Sequence, residues 1–137
     1  MSPTSRRCDE ATIAGRMRKA DEFMRCADLI REFSADEREI GDAYVTLCVH
    51  AGIAASDVIC CLALGEHSKG DDHREALGHL RQIQPEGKQL AKLLGTLLAT
   101  KTKAGYSHRG VTVQDRKRAE RAAGALLQAA HERRARA

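Results

Sequence analysis

Apolar residues recur at Ile13, Met17, Ala20, Met24, Ala27 and Ile30, in steps of four and three, with Arg16, Arg18, Lys19, Asp21, Glu22 and Arg25 between them. That spacing keeps one side of a helix apolar and leaves the rest charged, so the segment predicts an amphipathic helix of about six turns. Ser34-Ala-Asp-Glu37 is a capping-box pattern, in which a hydroxyl and a carboxylate satisfy the free amides of a helix start. Beyond it Ile40, Tyr44, Leu47, Ala51, Ala54, Val58 and Cys61 repeat the same step, and Cys48, Ala55, Ile59 and Leu62 widen the apolar arc on both sides. A helix apolar over so wide an arc is expected at the centre of the fold, running about 40 Å at 1.5 Å per residue. Gly65 stands where a helix C-terminus favours a left-handed residue.

Glu66–Asp72 is polar and contains Gly70, which predicts a loop. Asp72-His-Arg-Glu75 is a second capping pattern, and Ala76, Leu80 and Ile83 mark one face of a short helix that Pro85 closes. Leu90, Leu93, Leu94, Leu97 and Leu98 form a dense stripe on a helix ending near Gly105. Thr112-Val-Gln-Asp115 opens the last helix, with Ala119, Ala122, Ala123, Leu126, Leu127 and Ala130 on its apolar face. Gly15, Gly52, Gly78, Gly95 and Gly124 fall inside these helices, where each costs about 1 kcal/mol relative to alanine, so close helix packing is expected around them. No alternating strand pattern and no internal repeat is evident.

The sum is an all-α chain: a four-helix up-and-down bundle with one additional short helix. At 137 residues it suits one core. The expected division is a flexible N-terminus over residues 1–9, a single bundle over 10–131 and a frayed basic C-terminus over 132–137. Aromatics are 3% of the chain, so the core is built from Leu, Ile, Val, Ala and Met. No run approaches the roughly 18 to 20 apolar residues of a membrane span, and Met1–Asp9 lacks the apolar centre of a signal peptide, so a cytoplasmic protein without a membrane segment is expected. Cys8, Cys26, Cys48, Cys60 and Cys61 are an odd count without zinc-type spacing and are expected as reduced, buried thiols.

The net charge of +4 is unevenly spread. Residues 1–108 carry 15 Lys and Arg against 16 Asp and Glu, whereas residues 109–137 carry 8 against 3. Arg116, Lys117, Arg118, Arg121, Arg133, Arg134 and Arg136 therefore offer either phosphate contacts or a solvated helical face. A second concentration of chemistry is Lys101-Thr-Lys-Ala-Gly-Tyr-Ser-His-Arg109, where two lysines, a tyrosine, a histidine and an arginine gather at a helix end. Two readings stand for it. The cations complement the helix dipole, at about 0.3 to 1 kcal/mol each, or they form a site.

Lys103-Ala-Gly-Tyr-Ser-His108 resembles the Arg-x4–6-His motif of the HEPN superfamily, helical bundles that carry the motif between their last two long helices. The order of an Ala-rich central helix, polar turn, short helix, Leu-rich helix and motif is similar too, and the likeness, to the small actinobacterial-type members, covers residues 10–130. The resemblance implies a metal-independent endoribonuclease, a toxin or defence protein, that dimerises so that two motifs line one cleft. His108 is then the general acid and base, Lys103 the catalytic group stabilising charge on phosphorus, and Lys101 and Tyr106 orient the RNA backbone. The family position usually held by Arg is Lys103 here, a point charge rather than a fork. That difference favours the alternative: a non-catalytic module that binds a nucleotide or a partner such as a nucleotidyltransferase-like antitoxin. RNA or a nucleotide is the expected ligand class, a homodimer the expected assembly, and no cofactor or metal is implied.

Arg109 and Asp57 complete the substrate-binding candidates. Asp57 lies within the most apolar helix, and a buried carboxylate needs a partner. It either reaches the Lys/His segment or caps a neighbouring helix. His67 and His73, near Asp71 and Asp72, are expected as solvated capping residues. His50 is expected in the core or at an interface. Glu75 and His79 are four apart, which rules out the Glu-x-x-His pairs of a ferritin-like di-iron site.

Overall fold

The computed structural model describes residues 5–69 and 73–137. Its described residues form five α-helices, α1 (Glu10–Phe33), α2 (Gly41–Leu64), α3 (His73–Arg81), α4 (Gly87–Gly105) and α5 (Val113–Arg136), with strands β1 (Ser5–Arg7) and β2 (Glu66–Ser68). The fold is all-α. Gly70 and Asp72, part of the expected loop and capping pattern, lie outside the described residues.

The wide apolar arc of α2 puts it at the centre, packed by α1, α4 and α5, with α3 against α4. Val45, Ala51, Ala54, Ala55, Val58 and Ile59 of α2 are fully buried, and all but Ala51 belong to one core cluster with Leu97 and Leu126 from the neighbouring helices. Each large aliphatic side chain so buried contributes about 1.5–3 kcal/mol. Among the described residues α2 alone has the length and mean hydropathy, 2.0, of a membrane-crossing helix, and 67% of that stretch is buried inside the fold.

Helix ends follow local chemistry. Asp9 caps α1 through Thr12 N–H at 2.8 Å, both halves of the Thr112–Asp115 capping box open α5, and Gly65, at φ 76°, ends α2. The Ser34–Glu37 box does not form. Asp36 captures the Arg38 amide and caps a single 3-10 turn, Glu37–Glu39, while the Glu37 carboxylate is held by Arg116 at 2.8 Å, so α2 begins only at Gly41.

Close packing accounts for one of the five helical glycines. A Cβ on Gly52 would collide with Leu97 Cδ1 and lie 3.4 Å from Leu126 Cδ1; Gly15, Gly78 and Gly124 face open space, and Gly95 only reaches Leu77 at 4.0 Å. Gly52→Val is therefore expected to cost about 1–3 kcal/mol in urea unfolding, whereas Gly124→Ala gains up to about 1 kcal/mol from helix propensity.

The N-terminal segment is not loose over its described part. β1 pairs antiparallel with β2, Arg6 opposite His67 and Arg7 opposite Glu66, and the Cys8 amide donates to the Gly65 carbonyl at 3.0 Å. Ser5, buried, donates to Glu75 at 2.6 Å. Beyond the strand Cys8 is bridged to Cys61, with Cα atoms 5.5 Å apart. This corrects the expectation of five reduced, buried thiols: Cys48 and Cys60 are buried thiols that burial pushes up to about 12, and Cys26 is exposed. The strand went unforeseen because three residues are too few to show an alternation. At the other end α5 continues to Arg136, where Arg133 donates to the Pro85 carbonyl at 2.7 Å and Arg134 pairs with Glu10 at 2.8 Å.

Candidate functional site

In α2, His50, Ile53 and Asp57 are spaced by three and four, which places two polar side chains on one face of the most apolar helix. That face forms the floor of a cavity of about 500 Å³. Arg6 and Arg7 reach its wall from β1, Thr12 and Arg16 from α1, His67 and Lys69 from β2 and its end, His73 from α3, and Lys101 from the last turns of α4. The disulfide and the Ser5–Glu75 bond hold β1 at both ends, and so fix where the two arginines enter.

Asp57 is the negative group in this wall. Its Oδ2 accepts from Arg16 Nε at 2.9 Å and Nη2 at 2.8 Å, and His67 Nδ1 lies 3.7 Å from Oδ1. Burial raises the Asp57 carboxyl above the usual carboxylate range, and Arg16 and His67 pull it back. Because a carbonyl only accepts, the 2.7 Å contact between His67 Nδ1 and the Ser68 carbonyl fixes Nδ1 as a donor. Lys101 Nζ donates to His73 Nε2 at 3.1 Å. His50 stacks on Phe23, ring centroids 5.3 Å apart, and its pKa is lowered by desolvation and then by the positive Lys101 and Arg16. The Ser56 hydroxyl is buried in the wall without a protein partner.

The electrostatic sum is decisive. Among the described residues, five cationic side chains, Arg6, Arg7, Arg16, Lys69 and Lys101, line the cavity with one carboxylate, which Arg16 already claims. Unpaired positive charge around a concave, partly enclosed space attracts anions, and the volume falls within the ordinary range for small-ligand sites.

The structure divides the residues singled out from the sequence. Lys101 and Asp57 share the cavity, though Asp57 is bound to α1 and β2 rather than to the Lys/His segment. Lys101 and Tyr106 also line a smaller adjoining pocket with His50. Lys103 and His108 line neither. Lys103 donates to Asp115 at 2.9 Å, the same carboxylate that accepts from the Thr112 amide, so it ties α4 to the cap of α5; the Thr112 amide first and Lys103 second lower the Asp115 pKa. His108 and Arg109 are exposed in the turn between these helices. His67, expected as a solvated cap, is buried in the cavity wall, and His50, expected in the core or at an interface, stands at the cavity. Within the basic C-terminal stretch, Arg116, Arg133 and Arg134 are engaged inside the fold.

Arg6, Arg7, Arg16 and Lys69 were not singled out from the sequence. Their signal is spatial: they belong to three elements that meet only after folding. The one legible trace was the polar spacing of His50 and Asp57 within α2. Comparison with family models, curated proteins and solved structures finds no significant match.

Proposed function

We propose that this chain binds RNA or a nucleotide through its phosphate groups in the cationic cavity, as a helical binding module. The observation that carries the reading is the excess, among the described residues, of five cations over one internally paired carboxylate around a space of about 500 Å³. Arginine and lysine on several elements grip a phosphate from different directions, and the buried Ser56 hydroxyl supplies a further donor. The HEPN resemblance contributes the ligand class, whereas the residues are those of the cavity and not Lys103 and His108. Leu29 and Phe33, 39% and 79% exposed and four residues apart on α1, offer an apolar surface for the homodimer in this reading.

A specific feature favours a second reading, metal-independent cleavage of RNA. His50, kept neutral by its surroundings, stands with Lys101 around the adjoining pocket, a base near a cation. Calorimetric titration in EDTA with inorganic phosphate, a 5′-mononucleotide and a short single-stranded RNA is expected to give saturable binding of the nucleotide and the RNA, tighter than phosphate alone. Intact RNA after incubation supports the binding module; cleavage abolished by His50→Ala supports the second reading. No binding of any of the three contradicts both.

A further inference from the structure

We propose that the reduced protein holds one Zn²⁺ ion between Cys8, Cys61 and His67. This site shares His67 with the cavity wall, but the proposal does not rest on the phosphate-binding reading. One ligand atom from each of the three residues lies within 4.8 Å of the others, and tetrahedral zinc, with bonds of about 2.0–2.3 Å, asks for ligand separations of about 3.5–3.8 Å, within reach of small side-chain movements.

The donor set and its surroundings point to the same ion. Two sulfurs and an imidazole suit a borderline-soft cation and disfavour magnesium or calcium, which take oxygen ligands. His67 has the outer partners that zinc-bound histidines use: Nδ1–H is committed to the Ser68 carbonyl at 2.7 Å, with the Asp57 carboxylate 3.7 Å away, which leaves Nε2 of the neutral ring to take the ion. Cys61 and His67 are buried and Cys8 is half-buried, so the donors sit in a partly desolvated setting that strengthens charge attraction. The three come from the segment after β1, the last turn of α2 and the centre of β2, and an ion here would brace the same junction that the disulfide braces.

Disulfide and ion compete for the same sulfurs. A dithiol reductant breaks the Cys8–Cys61 bond by exchange; two electrons and two protons pass to the cysteines, and the reductant leaves as its own disulfide. Zn²⁺ then takes both thiolates as two protons go to solvent, so binding weakens as pH falls. Three protein ligands leave a fourth position for water.

The test uses the full chain, reduced with a dithiol, desalted under inert gas and titrated with Co²⁺ and then Zn²⁺. One equivalent of Co²⁺ is expected to produce a thiolate-to-cobalt charge-transfer band that Zn²⁺ abolishes, and the oxidised protein is expected to show none. His67→Ala should weaken binding at least tenfold. Cys8→Ser, outside the helical core, should remove the band while helical circular dichroism persists, and Cys26→Ser, at the exposed free thiol, should keep it. Absence of the band in the reduced wild type, or its survival in folded Cys8→Ser, overturns the proposal.

Discussion

Arg16→Ala is expected to destabilise the fold by about 2–4 kcal/mol at neutral pH, because it leaves the buried Asp57 carboxylate without the guanidinium that makes two of its contacts. Arg16 is itself only partly buried, which keeps the figure near the lower end of what breaking a buried pair costs. For a domain of this size the melting temperature should fall by about 10 °C. The pH dependence identifies the cause. Burial raises the folded-state Asp57 pKa above its unfolded value, so below the ordinary carboxylate range both states hold the proton and no charge is buried. As pH rises through the folded pKa, the folded chain must carry the ion, and Arg16 offsets that cost. The variant should accordingly lose more stability at pH 7 than at about pH 4, and adding Asp57→Asn should restore most of the loss. Equal destabilisation at both pH values would locate the effect in lost side-chain packing instead.

The second large effect concerns the ligand. Lys101 borders both pockets, its ammonium donates to His73 Nε2, and it forms no ion pair with a carboxylate among the described residues. A charge-assisted bond to phosphate contributes about 1.5–3 kcal/mol, and Lys101→Ala is expected to weaken RNA or nucleotide affinity by about 10- to 100-fold with little change in stability. Lys103→Ala is expected to do the reverse on a smaller scale. It removes a largely surface ion pair with Asp115, worth at most about 1 kcal/mol, and leaves affinity unchanged.

The helices were legible because each carries its own apolar spacing and end signals: the arc from Ile40 to Cys61 announces a central helix, and Thr112–Asp115 announces the start of α5. What stayed hidden depends on contacts distant in sequence. The Cys8–Cys61 bridge spans 53 residues, and β1 gains its conformation from pairing with β2, not from its own composition. The Ser34 box failed through a distant contact as well, since Arg116, 79 residues away in sequence, holds the Glu37 carboxylate it needed while Asp36 caps a separate turn through the Arg38 amide. For the site, dense chemistry in a short segment drew attention to residues 101–109, but of these Lys101, Gly105 and Tyr106 alone border the two pockets. The cavity charge comes mostly from isolated arginines that look like an ordinary solvated helix face or a loose terminus until the elements assemble.

The central claim, that the cavity rather than the Lys103/His108 turn receives the phosphates, is tested most directly by the salt dependence of single-stranded RNA affinity in the wild type, Lys101→Ala and Lys103→Ala/His108→Ala. Each cation that neutralises a phosphate adds about −0.7 to the slope of log affinity against log salt. The account predicts a slope flatter by about 0.7 in Lys101→Ala and one unchanged in the double variant. A flattened slope and weakened affinity in the double variant, with Lys101→Ala like the wild type, would contradict it.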